Sequence, residues 1–330
     1  MGAAPRSVAT LLEQTDMLLR RGERAGATVW STGFPLLDEA LGGGLRSGEL
    51  ALLGGPQGNG KTMMGLQFVR NVVRAGRTGI IFSYEHQANT LMERLISLEA
   101  AESDSGSAAS VLEVRRGLET GTAGGSLEEL LASMRGGAAA YAALRSYGDR
   151  LHIHESSGAS TTLNELRAVI TDVHDRTGQV PFVLVDYLQK IPVDGASEDE
   201  RITGAVEGVK DLALDLGVPV VAVSAADKAS LAAGRRMRTH DLRGASALAF
   251  EADVVMILSD KIDVVSRDHL VYDLANIQRF REWSVLTLEK NRHGRGDVEL
   301  EFGKDFEHGR FITEGREVRE RLIDERIVVS

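Results

Sequence analysis

The sequence predicts an α/β fold in which a mainly parallel central sheet is covered by helices on both faces and extended by a C-terminal antiparallel hairpin. Three observations predict it. Near-continuous runs of Val, Ile and Leu alternate with helix-period segments from Thr32 to about residue 260, the pattern of strands buried on both faces. The first run, Leu50 to Leu53, passes straight into Gly55-Pro56-Gln57-Gly58-Asn59-Gly60-Lys61-Thr62 and then into MMGLQFVRNVV, a strand-loop-helix setting for a G-x-x-x-x-G-K-[ST] loop. Further on, SVLTLEKN (284–291) and DVELEF (297–302) alternate apolar and polar residues around RHGRG, which predicts a hairpin.

Taken in order, Val8 to Arg21 (VATLLEQTDMLLRR) sets Leu11, Leu12, Met17, Leu18 and Leu19 on one stripe of a helix. That stripe has to dock, on this chain's own core or on a neighbouring copy, and the pattern serves both. After the glycine loop come a helix over 62–75, a strand in TGIIFSYE (78–85) and a helix over 88–101. Residues 102–140 hold ESDSGSAAS, GTAGGS and GGAAA, read as flexible connections around small helices. Strands follow in LHIHES (151–156), PFVLVDYL (181–188), VPVVAVSA (218–225) and ADVVMILSD (252–260), with helices over 161–177 and 199–216. The tail REVRERLIDERIVV is charged, with a helix-compatible pattern and no assigned function. The expected division is a linker-like helical segment at 1–30, one α/β domain at 31–312 and a charged tail at 313–330.

Composition narrows the class. With 330 residues and 43% hydrophobic content, the chain can bury one large core or two modest ones. It has no apolar run long enough to span a bilayer and no secretory signal pattern, so a cytoplasmic protein without a membrane partner is expected. The absence of cysteine excludes disulfides, thiol nucleophiles and Cys-ligated zinc. The net charge of −10, from 38 basic and 48 acidic residues, excludes wholesale electrostatic attraction to nucleic acid. A nucleic-acid site must then be local, and the one dense basic stretch is Arg235, Arg236 and Arg238, with Lys228 before it and Arg243 after it. A solvated loop has the same composition.

The glycine loop points to a nucleoside triphosphate. Gly55, Gly58 and Gly60 allow consecutive backbone N–H groups, that of Asn59 among them, to turn towards phosphates. Lys61 supplies a point charge to the β and γ oxygens, and the Thr62 hydroxyl suits Mg²⁺. Hydrolysis needs a second carboxylate for the metal and a group that orients water, both at strand ends near the loop. Asp186 ends VPFVLVD and Glu85 ends GIIFSYE; they are candidates for these roles, with a strand-end turn carboxylate as the alternative for each. Ser224 and Asp227 follow VPVVAV, where they could sense a γ-phosphate or cap a helix. Lys290 and Arg292 flank the hairpin turn and acquire chemistry only if they reach a neighbour's nucleotide in trans.

In sequence order these segments resemble the C-terminal ATPase domain of DnaB-type replicative helicases, in the RecA-like group of P-loop proteins. The resemblance runs from about Val8 to Phe311 and includes STGFPLLDEALGGGLRSGEL (31–50), IIFSYEH, HESSGASTTLNELRAVI (154–170), LVDYLQKI (184–191), LGVPVVAVSAADK (216–228), DLRGASALAFEADVVMIL (241–258) and LEKNRHGRGDVELEF (288–302). VDYLQ and the K-x-R-x-G of KNRHG are its more specific parts. It implies that Lys61 and Thr62 bind phosphate and Mg²⁺, that Glu85 is the catalytic glutamate and that Asp186 is the Walker B acid. It also implies that Lys290 and Arg292 enter the adjacent subunit's site in a homo-oligomeric ring, typically a hexamer, with helix 8–21 in the position of the linker helix that packs on a neighbour.

Three departures accompany the resemblance. Only about 30 residues precede the lead-in, so no counterpart of the family's primase-interacting domain is expected. Ala225 stands where the family has Gln after the strand-end Ser. Asp241-Leu242-Arg243-Gly244-Ala245-Ser246 replaces D-L-R-E-S-G beside the DNA-contacting loop. Two functions are expected in consequence. One is an ATP-driven helicase or translocase gripping single-stranded DNA through Lys228, Arg235, Arg236, Arg238 and Arg243. The other is a DnaB- or KaiC-like ring ATPase with a regulatory or scaffold role on protein partners and little or no unwinding; a protein loader or regulator is an expected partner.

Overall fold

The structure, a computed structural model, describes residues 5–23, 25–103, 106–121, 125–226, 236–266, 268–271 and 274–323. Helix α1 (Val8–Arg20) is capped by the Ser7 side chain, which accepts from the Thr10 amide, and none of its residues is buried. Val8, Leu12 and Leu19 stand at 60% exposure or more, so the apolar stripe of α1 is not covered by the described part of its own chain. A ribbon of β1 (Val29–Trp30) and β2 (Leu45–Arg46) brackets α2 (Pro35–Ala40) and leads into β3 (Leu50–Gly54).

From β3 the chain alternates as its apolar periods require: α3 (Lys61–Arg74), β4 (Gly79–Ser83), α4 (Ala88–Ser103), then α5 (Val111–Thr120), α6 (Leu127–Ala132) and α7 (Gly137–Tyr147). β5 (Leu151–Glu155), α8 (Leu163–Thr177), β6 (Phe182–Asp186), α9 (Glu198–Leu216) and β7 (Val220–Val223) follow, then α10 (Ala245–Glu251) and β8 (Val254–Asp260). Three short helices, α11 (Lys261–Val264), α12 (Asp268–Val271) and α13 (Leu274–Arg281), precede β9 (Trp283–Asn291), β10 (Val298–Asp305), β11 (Arg310–Phe311) and β12 (Arg316–Glu317). Among the described residues no helix is long and apolar enough to cross a membrane.

The sheet runs β11-β10-β9-β8-β3-β7-β6-β4-β5. From β8 to β5 all pairs are parallel, whereas β9, β10 and β11 are antiparallel additions. Alternation along the central strands divides the core in two. Ala51, Leu53, Phe182 and Leu184 face one layer with α3 residues such as Met64, Phe68 and Val72. Leu50, Leu52, Val183 and Val185 face the other with Leu166 and Ile170 of α8 and Val206 and Val209 of α9. A fully buried aliphatic side chain contributes roughly 1.5–3 kcal/mol, and two covered faces are what near-continuous Val/Ile/Leu strands require.

Two expectations change here. Residues 102–140 are more ordered than their Gly/Ser/Ala content suggests: α5 and α6 each begin with a reciprocal capping box, Ser110 with Glu113 and Ser126 with Glu129. Their apolar faces join α4 and α7 around Ile96, Ala100, Val114, Leu131 and Ala140. The described part of the tail is extended, with Arg316 and Glu317 paired to Glu301 and Leu300 of β10. Charge pins it there: the fully buried Lys261 ammonium pairs with Glu301 and Glu320, and Arg316 pairs with Glu301 while lying 4.3 Å from the Trp283 ring centroid.

Candidate functional site

β3, β4, β6 and β7 all end on one side of the sheet, the position where open α/β sheets take ligands. Here the chain folds tightly after β3. Gly55 has φ 143°, and a Cβ on it would lie 2.2 Å from the Leu258 carbonyl oxygen; Gly60, at φ 88°, would press a Cβ to 2.8 Å from the Phe306 and Phe311 rings. Neither position admits a side chain. Gly60 is the N-cap of α3, and no side chain caps that helix, which leaves its first amides and its positive dipole end directed at the cleft. The Lys61 ammonium donates to the carbonyls of Gly55 (2.9 Å) and Pro56 (2.8 Å). Burial lowers its pKa, while Asp186 and Glu85 act in the opposite direction.

The cleft holds about 700 Å³ and is lined by Gly55, Gly58, Gly60, Lys61, Thr62, Glu85 and Asp186 among others. Asp186 is 2% exposed, and neither carboxylate oxygen finds a partner of full hydrogen-bond geometry. Burial raises its pKa to about 6; the Thr62 hydroxyl offsets part of that rise, and the Glu85 charge adds to it. Two orphaned buried oxygens beside a threonine hydroxyl suit a hard cation such as Mg²⁺. The residues present therefore fit the metal that the loop implies.

The Asp186 shift has a stability consequence. A carboxyl whose pKa rises from 3.8 to about 6 on folding stabilises the fold fully below the lower value, and that contribution is lost as pH rises through the upper one. The loss is about 2–3 kcal/mol. In chelator-treated protein, Asp186→Asn is expected to raise the denaturation midpoint at pH 8 and to bring no gain at pH 4. Equal midpoints for the two proteins at pH 8 would refute the orphaned-carboxylate account.

Among the side chains of this cleft, sequence reasoning missed His86, Arg94 and Arg115. His86 follows Glu85, and burial together with Arg94 lowers its pKa. Arg94 on α4 acts electrostatically on Asp186 and Glu85; a basic residue two to three turns after a strand-end Glu was the available signal. Arg115 pairs with Glu93 at 2.8 Å and comes from α5, which the composition disguised. At the end of β7, Ser224 is fully buried and accepts from the Gln189 amide at 2.9 Å. Gln189 also accepts from the Ala225 amide at 3.1 Å, so the VDYLQ glutamine links the ends of β6 and β7. Asp227 lies outside the described residues.

Lys290 and Arg292 do not line this cleft. Lys290 donates to the Ala249 carbonyl at 2.7 Å, and Arg292 donates to the Phe250 carbonyl at 3.0 Å and pairs with Asp253 at 3.1 Å. Asp253 is nearly buried and does more: its Oδ2 accepts from the Leu50 amide (2.8 Å) and from Lys210 Nζ (2.6 Å). The strand that carries the phosphate loop and the base of the hairpin thus share one carboxylate.

The basic stretch needs correction. Arg236 is not a phosphate-facing residue: it is 4% exposed, its guanidinium pairs with Glu299 and donates to Thr287 at 2.7 Å, and β9 and β10 enclose it. Arg238 pairs with Glu289 at 3.1 Å, the residue that bulges from β9 opposite Val255 and Met256. Arg243 lines the cleft and pairs with Glu198 at 2.9 Å. Lys228 and Arg235 lie outside the described residues.

A phosphate-type loop opening an uncapped helix, with acidic residues at the ends of two neighbouring parallel strands, defines a RecA-like P-loop nucleotide-binding domain. Residues 30–311 match the family model described as the DnaB-like helicase C terminal domain, and the chain belongs to that family. It is 27% identical over 329 residues to the replicative DNA helicase DnaB of Haemophilus influenzae, an alignment that covers 96% of this chain and 63% of that one. The chain thus spans less than two thirds of that relative's length. Its fold is similar to the solved structure of a DnaB-like replicative helicase studied for its interactions with primase, with TM-score 0.68, 17% identity and coverage of 94% and 67%. It is also similar to the KaiC-like protein PH0186 from Pyrococcus horikoshii, with TM-score 0.54, 14% identity and coverage of 87% and 99%.

Proposed function

We propose that this chain is a ring-forming ATP hydrolase that couples turnover to movement along single-stranded DNA. The observation that carries the reading is the convergence of Lys61, Thr62, Glu85 and Asp186 in one cleft, while the two hairpin cations, Lys290 and Arg292, stand elsewhere on the same protomer. A site with loop, metal carboxylate and water-orienting glutamate in cis lacks only charge on the transferring phosphoryl group, which a neighbour's hairpin would supply. The uncovered stripe of α1 gives such a neighbour an apolar contact, and a hexamer is the assembly the family suggests.

In this site the Thr62 hydroxyl and, through water, the Asp186 carboxylate would hold Mg²⁺, which would supply positive charge to the phosphates. Lys61 exchanges its two carbonyl acceptors for β and γ oxygens. The α3 amides bind phosphate from the other side, and Glu85 orients the attacking water. Arg94 lines the same cleft and acts electrostatically on both carboxylates. Gln189, three residues after Asp186, also donates to the Arg243 carbonyl at 3.3 Å, so its hydrogen bonds connect the segment after β6 with the end of β7 and with Arg243.

With Arg236 removed, Lys228, Arg235, Arg238 and Arg243 remain as DNA-contacting candidates. Contact through so few cations would be salt-sensitive and indifferent to base sequence. The test is ATP turnover with and without single-stranded DNA at low and moderate salt, alongside ring size. Stimulation by DNA is expected, with Lys61→Ala lowering turnover by about 10²–10³-fold, the scale on which one preorganised donor to developing charge acts. No DNA binding at low salt would sink the DNA part of this reading. The specific observations favouring the second reading, a ring ATPase with a regulatory or scaffold role on protein partners, are Ala225, Gly244 and the burial of Arg236; turnover unchanged by DNA would select it.

A further inference from the structure

We infer that Glu85, His86 and Asp186 form a site for a divalent transition ion, occupied without nucleotide and dependent on the imidazole. The inference rests on the reading above only in placing a metal beside Asp186. One ligand atom from each of the three residues lies within 4.8 Å of the others. Bonds of about 2.0–2.2 Å to nitrogen and oxygen place ligand atoms roughly 3–4 Å apart, so the cluster has to contract, and side-chain rotation of the exposed Glu85 and half-buried His86 can supply that. The independent sign of a ligand is Asp186: almost fully buried, with one oxygen in the cluster and neither oxygen in a hydrogen bond of full geometry.

The imidazole decides which ion binds. Lys61 and Arg94 both act electrostatically on Asp186 and Glu85, so part of the carboxylate charge is already offset. A dication drawn by charge alone gains correspondingly less there. Mg²⁺, which demands an oxygen shell and keeps its waters, therefore has little reason to bind before the nucleotide brings phosphate. Mn²⁺ and Zn²⁺ accept mixed imidazole and carboxylate sets, and one nitrogen with two carboxylate oxygens leaves positions for water. An ion so held engages the Glu85 carboxylate, the group proposed to orient the attacking water.

The test is equilibrium binding of Mn²⁺ to nucleotide-free protein, followed by loss of the free-ion electron paramagnetic resonance signal, with Zn²⁺ and Mg²⁺ as competitors. One Mn²⁺ per chain is expected, displaced by Zn²⁺ and not by an equal concentration of Mg²⁺. His86→Gln and His86→Met should each weaken Mn²⁺ binding by more than about 100-fold, beyond what loss of an outer-shell partner costs. Circular dichroism and binding of a fluorescent ATP analogue with Mg²⁺ establish that each variant is folded. Unchanged Mn²⁺ affinity in both folded His86 variants, or no Mn²⁺ bound by the parent protein, overturns the inference. Analogue binding in that case leaves the ATPase reading standing, whereas His86-dependent Mn²⁺ binding without ATP hydrolysis overturns that reading alone.

Discussion

Arg292→Ala is expected to lower ATP turnover by about 10³–10⁵-fold, the range over which an arginine supplied in trans acts on phosphoryl transfer, while nucleotide affinity and fold stability stay close to the parent values. The stability half follows from the geometry. The Arg292 side chain is 47% exposed and pairs with Asp253, which keeps Lys210 and the Leu50 amide as partners; a half-exposed ion pair contributes about 0–1 kcal/mol. The catalytic half follows from Arg292 lying outside the cleft of its own protomer. Mixing makes the shared site measurable. Glu85→Gln protein keeps its hairpin, and Arg292→Ala protein keeps its glutamate, so about a quarter of the interfaces in randomly mixed rings would hold both intact groups. Turnover in the mixture should exceed that of either variant alone, and a mixture no more active than its components would place Arg292 outside any neighbour's site.

The parts of this architecture legible in the sequence are those set by local pattern. A loop with glycines at 55, 58 and 60 and Lys-Thr at its end can do little else after an apolar strand, and the strand-end positions of Glu85 and Asp186 follow from counting along GIIFSYE and VPFVLVD. The hairpin around RHGRG was legible for the same reason, since period-two alternation on both arms specifies which face is buried. Segments whose order comes from partners distant in sequence were opaque. Ser110 with Glu113 and Ser126 with Glu129 were available as S-x-x-E signals, but the Gly/Ser/Ala context outweighed them. Arg236 reads as one more cation in a basic run, yet Thr287 and Glu299, more than fifty residues on, enclose it. The tail's charge pattern suits a helix in isolation; the buried Lys261 ammonium and the open edge of β10 hold it as a strand.

The same kind of distant partner makes Asp253 a costly surface-to-core link to break. Within ADVVMILSD it reads as an ordinary polar residue near the start of a strand, yet its carboxylate accepts from Lys210 Nζ and the Leu50 amide and pairs with Arg292. Lys210 is 8% exposed, with the Gly48 carbonyl as its other hydrogen-bond acceptor. Removing one member of a buried pair leaves the other charge uncompensated and costs about 3–5 kcal/mol, a large share of the roughly 5–15 kcal/mol that separates a domain from its unfolded state. Asp253→Ala is therefore expected to lower the denaturant midpoint severely, far more than Arg292→Ala on the other side of the same ion pair. Asp253→Asn keeps an acceptor for Leu50 while stranding the ammonium, so most of the loss should persist in it. Adding Lys210→Met removes the stranded charge and should recover most of the stability. Denaturation of Asp253→Asn, of Lys210→Met and of the double variant completes the cycle. Additive losses would mean that Lys210 and Asp253 are not coupled, and that the carboxylate acts on the fold only through the Leu50 amide at the root of the phosphate loop.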